Sequence, residues 1–538
     1  MARRILGFIF LVLMVFALMQ CARRGTPSGG EKDVTPPVLI KAEPANKTVN
    51  FKSNTIRLYF DEYIKLKDIQ KQLIISPPLK NQPEITPQGS ASKYIEIKIK
   101  DTLKENTTYT FNFGQSIEDN NEGNPSSFLS YVFSTGDYLD SLSITGVVND
   151  AFKKEVDNFV SVMLYEVDSA YTDSTIYKEP PLYITNTLDS TAIFSLKNLK
   201  KGKYALFALK DEGSNYKFDQ NIDRIGFLGY TIAIPTDSIF VLDLFKEVPE
   251  FVVSVPSYTA KNKIIFGYQG DGEHLIIERL TSLPDSVKTI VSKELEKDTL
   301  NYWISPFEAD SLIFRVINDT KKTMDTFTVK SRKLPLDSLR ISATQSKSIS
   351  LENPFWVSAN IPIKKIDTSK ITIVDKDTIR VPVIATLDTV KNRLDFNFVV
   401  PAENQYNLRL LPAAITDFFG NVNDTIVYGL SSVDPVEHGV LNIELTGAVT
   451  YPAIVQILNE STDKVIREEF AVKAKSFVFK NLKPAKYQIR VIGDTNGNKK
   501  WDTGNYLKKV FPEKVSYSPN AIEIRANWEA NEIFEIIE

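Results

Sequence analysis

TIRLYFDEYIK, from Thr55 to Lys65, is the stretch whose reading decides the fold. Ile56, Leu58 and Phe60 alternate with Arg57 and Tyr59, so one set of side chains faces a core and the other faces water, as a half-buried antiparallel strand requires. The same alternation returns at Ile95, Ile97 and Ile99, with Glu96 and Lys98 between them. It returns again at Tyr109, Phe111 and Phe113, with Thr110 and Asn112 between them. Turn clusters separate these runs at the spacing of a β-sandwich. Composition agrees: 32 Phe and 22 Tyr stand against 5 Met and 4 Trp, a balance that favours strands. No long segment after Cys21 has helical periodicity. The expected fold class is all-β.

A chain of 538 residues is too long for one core. Its formal charge is −3, from 64 basic and 67 acidic residues, so nothing in the balance recruits nucleic acid. A single cysteine, Cys21, excludes a disulfide framework, and each domain must hold together by its own apolar core.

That cysteine ends a distinctive N-terminal stretch, MARRILGFIFLVLMVFALMQC, Met1 to Cys21. Arg3 and Arg4 precede an apolar run from Ile5 to Leu18, shorter than the ~20 residues a spanning helix needs and suited to the core of a secretory signal. Leu18-Met19-Gln20-Cys21 resembles a bacterial lipobox, with Gln20 where a small residue is usual. The resemblance implies that residues 1–21 are a signal peptide and that Cys21 is lipidated and becomes the first residue of the mature protein. The other reading of the same residues is an uncleaved, short N-terminal anchor. In both, the chain hangs from a membrane by its N-terminus. Residues 22–37, rich in Gly, Pro and charge, read as a flexible tether.

Residues 38–137, with Pro36-Pro37 just before them, carry PPVLIKAEPAN, TIRLYFDEYIK, LKENTTYTFNF and IEDNNEGN, and are identified by these as resembling a bacterial Ig-like domain of the SbsA type. Residues 138–248 show a strand, then Asn198-Leu199-Lys200-Lys201-Gly202-Lys203-Tyr204, then another strand. This resembles transthyretin-like or carboxypeptidase-regulatory-like sandwiches, with the Gly and Tyr at a corner. Residues 249–336 read as a β-sandwich of unknown type. The pattern then repeats. Glu403-Asn404-Gln405-Tyr406 echoes the segment from Glu105 to Tyr109, and Asp417 through Gly420-Asn421 echoes Asp119 through Gly123-Asn124, with Glu403 and Asp417 each 298 residues beyond Glu105 and Asp119. Residues 337–432 are therefore expected to be a second Ig-like domain. Leu445-Thr446-Gly447-Ala448-Val449 echoes Ile144 to Val148, and Asn481-Leu482 followed by Lys486-Tyr487 echoes Asn198-Leu199 followed by Lys203-Tyr204. Residues 433–538 are expected to be a second transthyretin-like sandwich. Repetition at domain scale points to a scaffold more than to one active site.

No catalytic residue is expected. Nucleophilic catalysis needs a nucleophile beside a base, and the only histidines, His274 and His438, fall in different domains without a nucleophile motif nearby. Asp61-Glu62 could in principle do acid–base work, but neighbours on a strand point to opposite faces. The constellation with chemical content is Asp494-Thr495-Asn496-Gly497-Asn498-Lys499-Lys500-Trp501-Asp502. Oxygens of Asp494, Asn496, Asn498 and Asp502, with the Lys500 carbonyl, have the spacing of a calcium loop. Asn505 stands where a bidentate Glu would close such a loop, and Asn-Gly is equally a leading turn signal; calcium and plain turn both remain open. The paralogous loop keeps Asp211, Asn215 and Asp219 but has Gly213 at the third position, which favours the turn. Tyr216, Phe218, Trp501 and Tyr506 could stack on sugar rings or plug the ends of the sandwiches.

The expectation is thus an all-β string of Ig-like and transthyretin-like sandwiches in a non-catalytic, lipid-anchored scaffold. It resembles Ig-like-domain lipoproteins of the Bacteroidota cell envelope. The resemblance implies an outer-membrane location, facing periplasm or exterior, with envelope proteins or glycan as partners; the alternative function is a surface lipoprotein that binds glycan through its end loops.

Overall fold

The structure, a computed structural model, describes residues 33–127, 129–187, 192–294, 297–307, 309–343, 348–349, 355–432 and 434–537. Cys21, the stretch from Met1 and most of the tether lie outside the described residues. Among those described are forty-three strands, while the α-helices Ile69–Gln72 and Thr175–Lys178 are four residues each. The protein is an all-β, multidomain string of sandwiches.

In the first sandwich Thr55–Leu66 is the central strand. It lies antiparallel between Leu39–Glu43 and Ser92–Lys98, with Glu84–Thr86 beyond. Its last residues pair with Ile117–Asp119 after a register shift between Tyr59 and Ile64, where Asp61 and Glu62 sit. The facing sheet is Ile74–Ser76, Thr108–Asn112 and Ser130–Ser134. The alternating residues Ile56, Leu58, Phe60, Ile95, Ile97, Phe111 and Phe133 are all buried between the two sheets.

The second and fifth sandwiches match strand for strand. In the second, Tyr183–Asn186, Ser161–Glu166, Gly202–Lys210 and Arg224–Phe227 form one sheet, with Ile232–Ile234 also on Gly202–Lys210. The other sheet is Ile193–Leu199, Leu142–Asp150 and Ile239–Leu244, the last two parallel. The fifth repeats this order with Val465–Ala471, Ala453–Asn459, Ala485–Gly493 and Val515–Tyr517, with Ile522–Ile524 added. It is faced by Ser476–Leu482, Gly439–Gly447 and the parallel Glu529–Ile536. A shared glycine marks the parallel contact. A Cβ on Gly146 would fall 2.2 Å from the Phe240 carbonyl, and one on Gly447 2.3 Å from that of Ile536. The corner tyrosines also correspond. The Tyr204 hydroxyl donates to the Lys200 carbonyl at 3.0 Å and the Tyr487 hydroxyl to the Lys483 carbonyl at 2.8 Å. Gly202 does not have a positive φ, so Ala485 can take its place.

The third sandwich sets Val252–Val253, Lys263–Gln269, Thr299–Ile304 and Thr289–Lys293 against Leu275–Arg279, Ser311–Asn318 and Thr323–Lys330, around Ile264, Phe266, Tyr302 and Phe314. The fourth closes its own core around Phe355, Ile373, Phe396 and Leu408. Its strand Ile363–Ile366 pairs with Ile415–Asp417, as the end of Thr55–Leu66 pairs with Ile117–Asp119 in the first.

Candidate functional site

The string doubles back on itself. Gly202–Lys210 is an unbroken apolar run from Tyr204 to Leu209, and every one of those residues is buried. A strand buried on both faces needs a cover on each. Its inner face packs in the sandwich core, while Phe207 and Leu209 join Met163, Tyr165, Ile225, Phe227 and Phe245 in an outer cluster that also holds Ile74 of the first sandwich and Tyr506 of the fifth.

Tyr506 is delivered by the loop that follows Trp501. Its ring lies 5.2 Å from Phe207 and 5.2 Å from Phe227, both edge-on, and Phe511 stacks on Phe227 at 4.8 Å. Edge-on and stacked rings at these separations add to what burial alone contributes. The Tyr506 hydroxyl donates to Asp173 at 3.1 Å, and its backbone N–H donates to the buried carboxylate of Glu247. Lys509 bridges to Asp173 at 2.8 Å and covers the Tyr506 ring at 3.9 Å. The approach is close: a Cβ on Gly504 would meet the Phe245 ring at 2.7 Å. Burial pushes the Tyr506 hydroxyl far above the phenol range and raises the Glu247 carboxyl, whereas the Lys509 ammonium lowers Asp173.

A second contact lies alongside. Lys154 reaches from the second sandwich to Gln488 Oε1 at 2.9 Å, the Tyr517 hydroxyl donates to the Phe152 carbonyl at 2.7 Å, and the Arg490 guanidinium sits 4.4 Å over the Phe152 ring. Between the two sandwiches is a polar cleft of about 980 Å³, walled by residues 148–158 on one side and by 512–519 with Ile536 and Ile537 on the other.

The loop from Asp494 to Asp502 lies at the rim of this contact. The structure brings Asp494, Asn496, Asn498 and Asp502 into one turn, with their oxygens taken by donors of the turn itself. Asp494, buried, accepts from the Asn498 and Lys499 N–H groups at 3.1 and 2.8 Å; Asn496 accepts from Asn498 N–H and Asn498 from Lys500 N–H. Asp502 accepts the side-chain amides of Asn496 and Asn498 at 2.5 and 2.8 Å. The paralogous loop closes with equivalent bonds: Tyr216 N–H to Asp211 at 2.6 Å and Lys217 N–H to Asn215 at 2.8 Å. That loop has Gly213 at the third position and makes the same two turn bonds. Lys500 directs its amine to Glu273 of the third sandwich at 3.3 Å. Among the described residues no group of three or more His, Cys, Asp or Glu could hold a metal.

Other acidic side chains also accept from the backbone of their own turns. Asp119, 1 % exposed, accepts from the N–H groups of Asn121, Glu122 and Asn124 at 2.7–2.8 Å. Burial pushes its carboxyl up, but the combined backbone donors win and hold it at about 2. Asp417 repeats the arrangement with Phe419 and Asn421. His438 Nδ1 lies 2.7 Å from the Asp434 carbonyl, and His274 is in another sandwich. Tyr506 and Phe218 are buried and Trp501 and Tyr216 pack against the same cluster, so the loop aromatics are spent on the interface between sandwiches. The sequence reading missed this contact. Its signal was the unbroken run from Tyr204 to Leu209, which departs from alternation.

These features define a class: a β-sandwich string whose duplicated units dock on one another. Residues 33–135 match the family model described as Bacterial Ig-like domain. The comparison with curated proteins gave no match. Among solved structures, domains 1–6 of the surface layer protein SbsC share 13 % identity over 91 % of this chain and 67 % of theirs, with a TM-score of 0.15. The Bacillus anthracis TIE protein shares 13 % over 95 % of this chain and 76 % of its own, at 0.15. The BSP domain of a biofilm associated protein shares 10 % over 88 % and 96 %, also at 0.15.

Proposed function

We propose that the protein is a non-catalytic scaffold of the bacterial cell envelope, anchored through lipid on Cys21 and probing partners with its sandwich edges and clefts. The observation that carries this reading is the docking of the fifth sandwich on the second. Buried aromatic rings and carboxylates join two copies of one module into a block, and the acidic motifs close turns rather than converge on a reaction centre. No helix among the described residues is long and apolar enough to cross a membrane, and Cys21 supplies attachment in this account. A single acyl chain binds a membrane only marginally, whereas two or more anchor it stably. Metabolic labelling with a palmitate analogue tests this. Wild type takes up label and fractionates with membranes, and Cys21→Ser does neither. An unlabelled wild-type chain, or a mature protein beginning at Met1, overturns the anchor.

A further inference from the structure

The loop that delivers Tyr506 closes over a strip of three residues at the end of the second sandwich. Gly504 lies against the Phe245 ring, the Thr503 hydroxyl donates to the Lys246 carbonyl at 2.5 Å, and the Tyr506 N–H donates to Glu247 Oε1. Asn505 Nδ2 stands 3.5 Å from Glu247 Oε2. Beneath this cover Glu247 is 2 % exposed. Undocking would return its carboxylate to water and leave the inner core of the second sandwich in place.

That carboxylate lacks a countercharge. Among the described residues the only ion pair between the two sandwiches joins Lys509 to Asp173. Lys508 acts on Glu247 from a distance, while Gln220 and Tyr177 face it from the second sandwich without positive charge. Lys246, its chain neighbour, lies toward Asp223 and Asp219 instead. Asp119 shows what burying a carboxylate requires: three N–H donors, which together outweigh the loss of water. Glu247 has one backbone donor and an amide at the limit of hydrogen-bond distance, so burial prevails and its carboxyl is raised. The neutral acid keeps the Tyr506 N–H on its carbonyl oxygen and leaves no charge stranded out of water.

We infer that the dock is a proton-operated latch: Glu247 takes up a proton as residues 503–506 close over it, so the contact is tightest in mildly acid surroundings and loosens when the carboxyl ionises. The direction follows from linkage. Docking raises the Glu247 carboxyl above the ~4.3 of a free side chain. Its contribution is complete below that value and is lost as pH rises through the docked one, by about tenfold in the docking equilibrium for each pH unit between the two. Asp173 works the other way. Lys509 holds it down, so its contribution is complete above the ~3.9 of a free side chain and is lost as pH falls through the lower docked value. The latch goes beyond the scaffold reading and needs neither the lipid nor a partner.

Hydrogen exchange of the intact protein reads the latch, each rate being divided by that of an unstructured chain at the same pH. From about pH 5 to about pH 8, protection of segments 203–228 and 501–511 should fall together by about tenfold or more, while peptides of the first sandwich hold theirs. Glu247→Gln, a neutral isostere that still accepts the Tyr506 N–H, should keep its protection across that interval. Asp173→Asn, whose side chain is half exposed, should lose protection over it as wild type does. Flat wild-type protection, a fall in Glu247→Gln equal to that of wild type, or a flat profile in Asp173→Asn each overturns the latch. If Glu247→Gln loses its fold, the other two profiles decide.

Discussion

Truncating Tyr506 tests whether the fifth sandwich is held on the second by packing. Its side chain is 1 % exposed within a pocket of Phe207, Phe227 and Phe245. Deleting a buried ring of this size costs about 3–5 kcal/mol. Tyr506→Phe removes the hydroxyl's bond to Asp173 and its longer, 3.4 Å bond with the Tyr171 hydroxyl, and because the carboxylate is half exposed the loss should sit near the low end for such bonds, about 1 kcal/mol. Since 1.36 kcal/mol is tenfold in an equilibrium, Tyr506→Ala should raise the population of the undocked state by ~10³ and Tyr506→Phe by less than ~10. Hydrogen exchange of the intact chain measures this through peptides covering 203–228 and 501–511, with peptides from the first sandwich as the unchanged reference. Protection in both segments should fall together in Tyr506→Ala and hold in Tyr506→Phe. If the two variants behave alike, or only 501–511 responds, the ring does not carry the contact.

Two further outcomes follow from the acidic motifs. Asp119 is held at about 2 in the folded protein against about 3.9 in an unfolded chain. Its contribution is therefore complete above pH ~4 and is lost as pH falls toward 2. Asp119→Asn should lower the melting transition of the first sandwich at pH 7, and the gap to wild type should close on acidification through that window; a pH-independent gap contradicts the hydrogen-bonding account. At the Asp494 loop, saturation by N–H donors predicts that calcium titrated to several millimolar leaves the melting temperature unchanged. A rise abolished by Asp494→Ala would show that the turn opens to hold a cation.

Much of this architecture is legible in the residues, for a physical reason. Alternation at Ile56, Leu58 and Phe60 records a strand with one face in water, and that local pattern survives into the sheet unchanged. The duplicated corner at Tyr204 and Tyr487 is likewise local, a hydroxyl reaching a carbonyl four residues back. Docking is different. Tyr506, Phe227 and Phe511 come from distant segments, and an aromatic in a polar loop reads equally as a sugar platform, a plug or an interface. The unbroken runs from Val162 to Tyr165 and from Tyr204 to Leu209 record that a second face is covered, and they do not say by what. The Asp494 loop shows the converse. Oxygen side chains at alternate positions suit a cation and an Asx-type turn alike, and the N–H donors that distinguish them belong to the backbone.

The docked arrangement can be read most directly by zero-length coupling. Asp173 and Lys509, 336 residues apart, lie in contact at 2.8 Å, and Glu118 and Lys67 within the first sandwich lie at the same distance. Carbodiimide treatment of the intact protein followed by peptide mass mapping should therefore recover both the Asp173–Lys509 and the Glu118–Lys67 isopeptides. Recovery of the second without the first would contradict the docking of the fifth sandwich on the second.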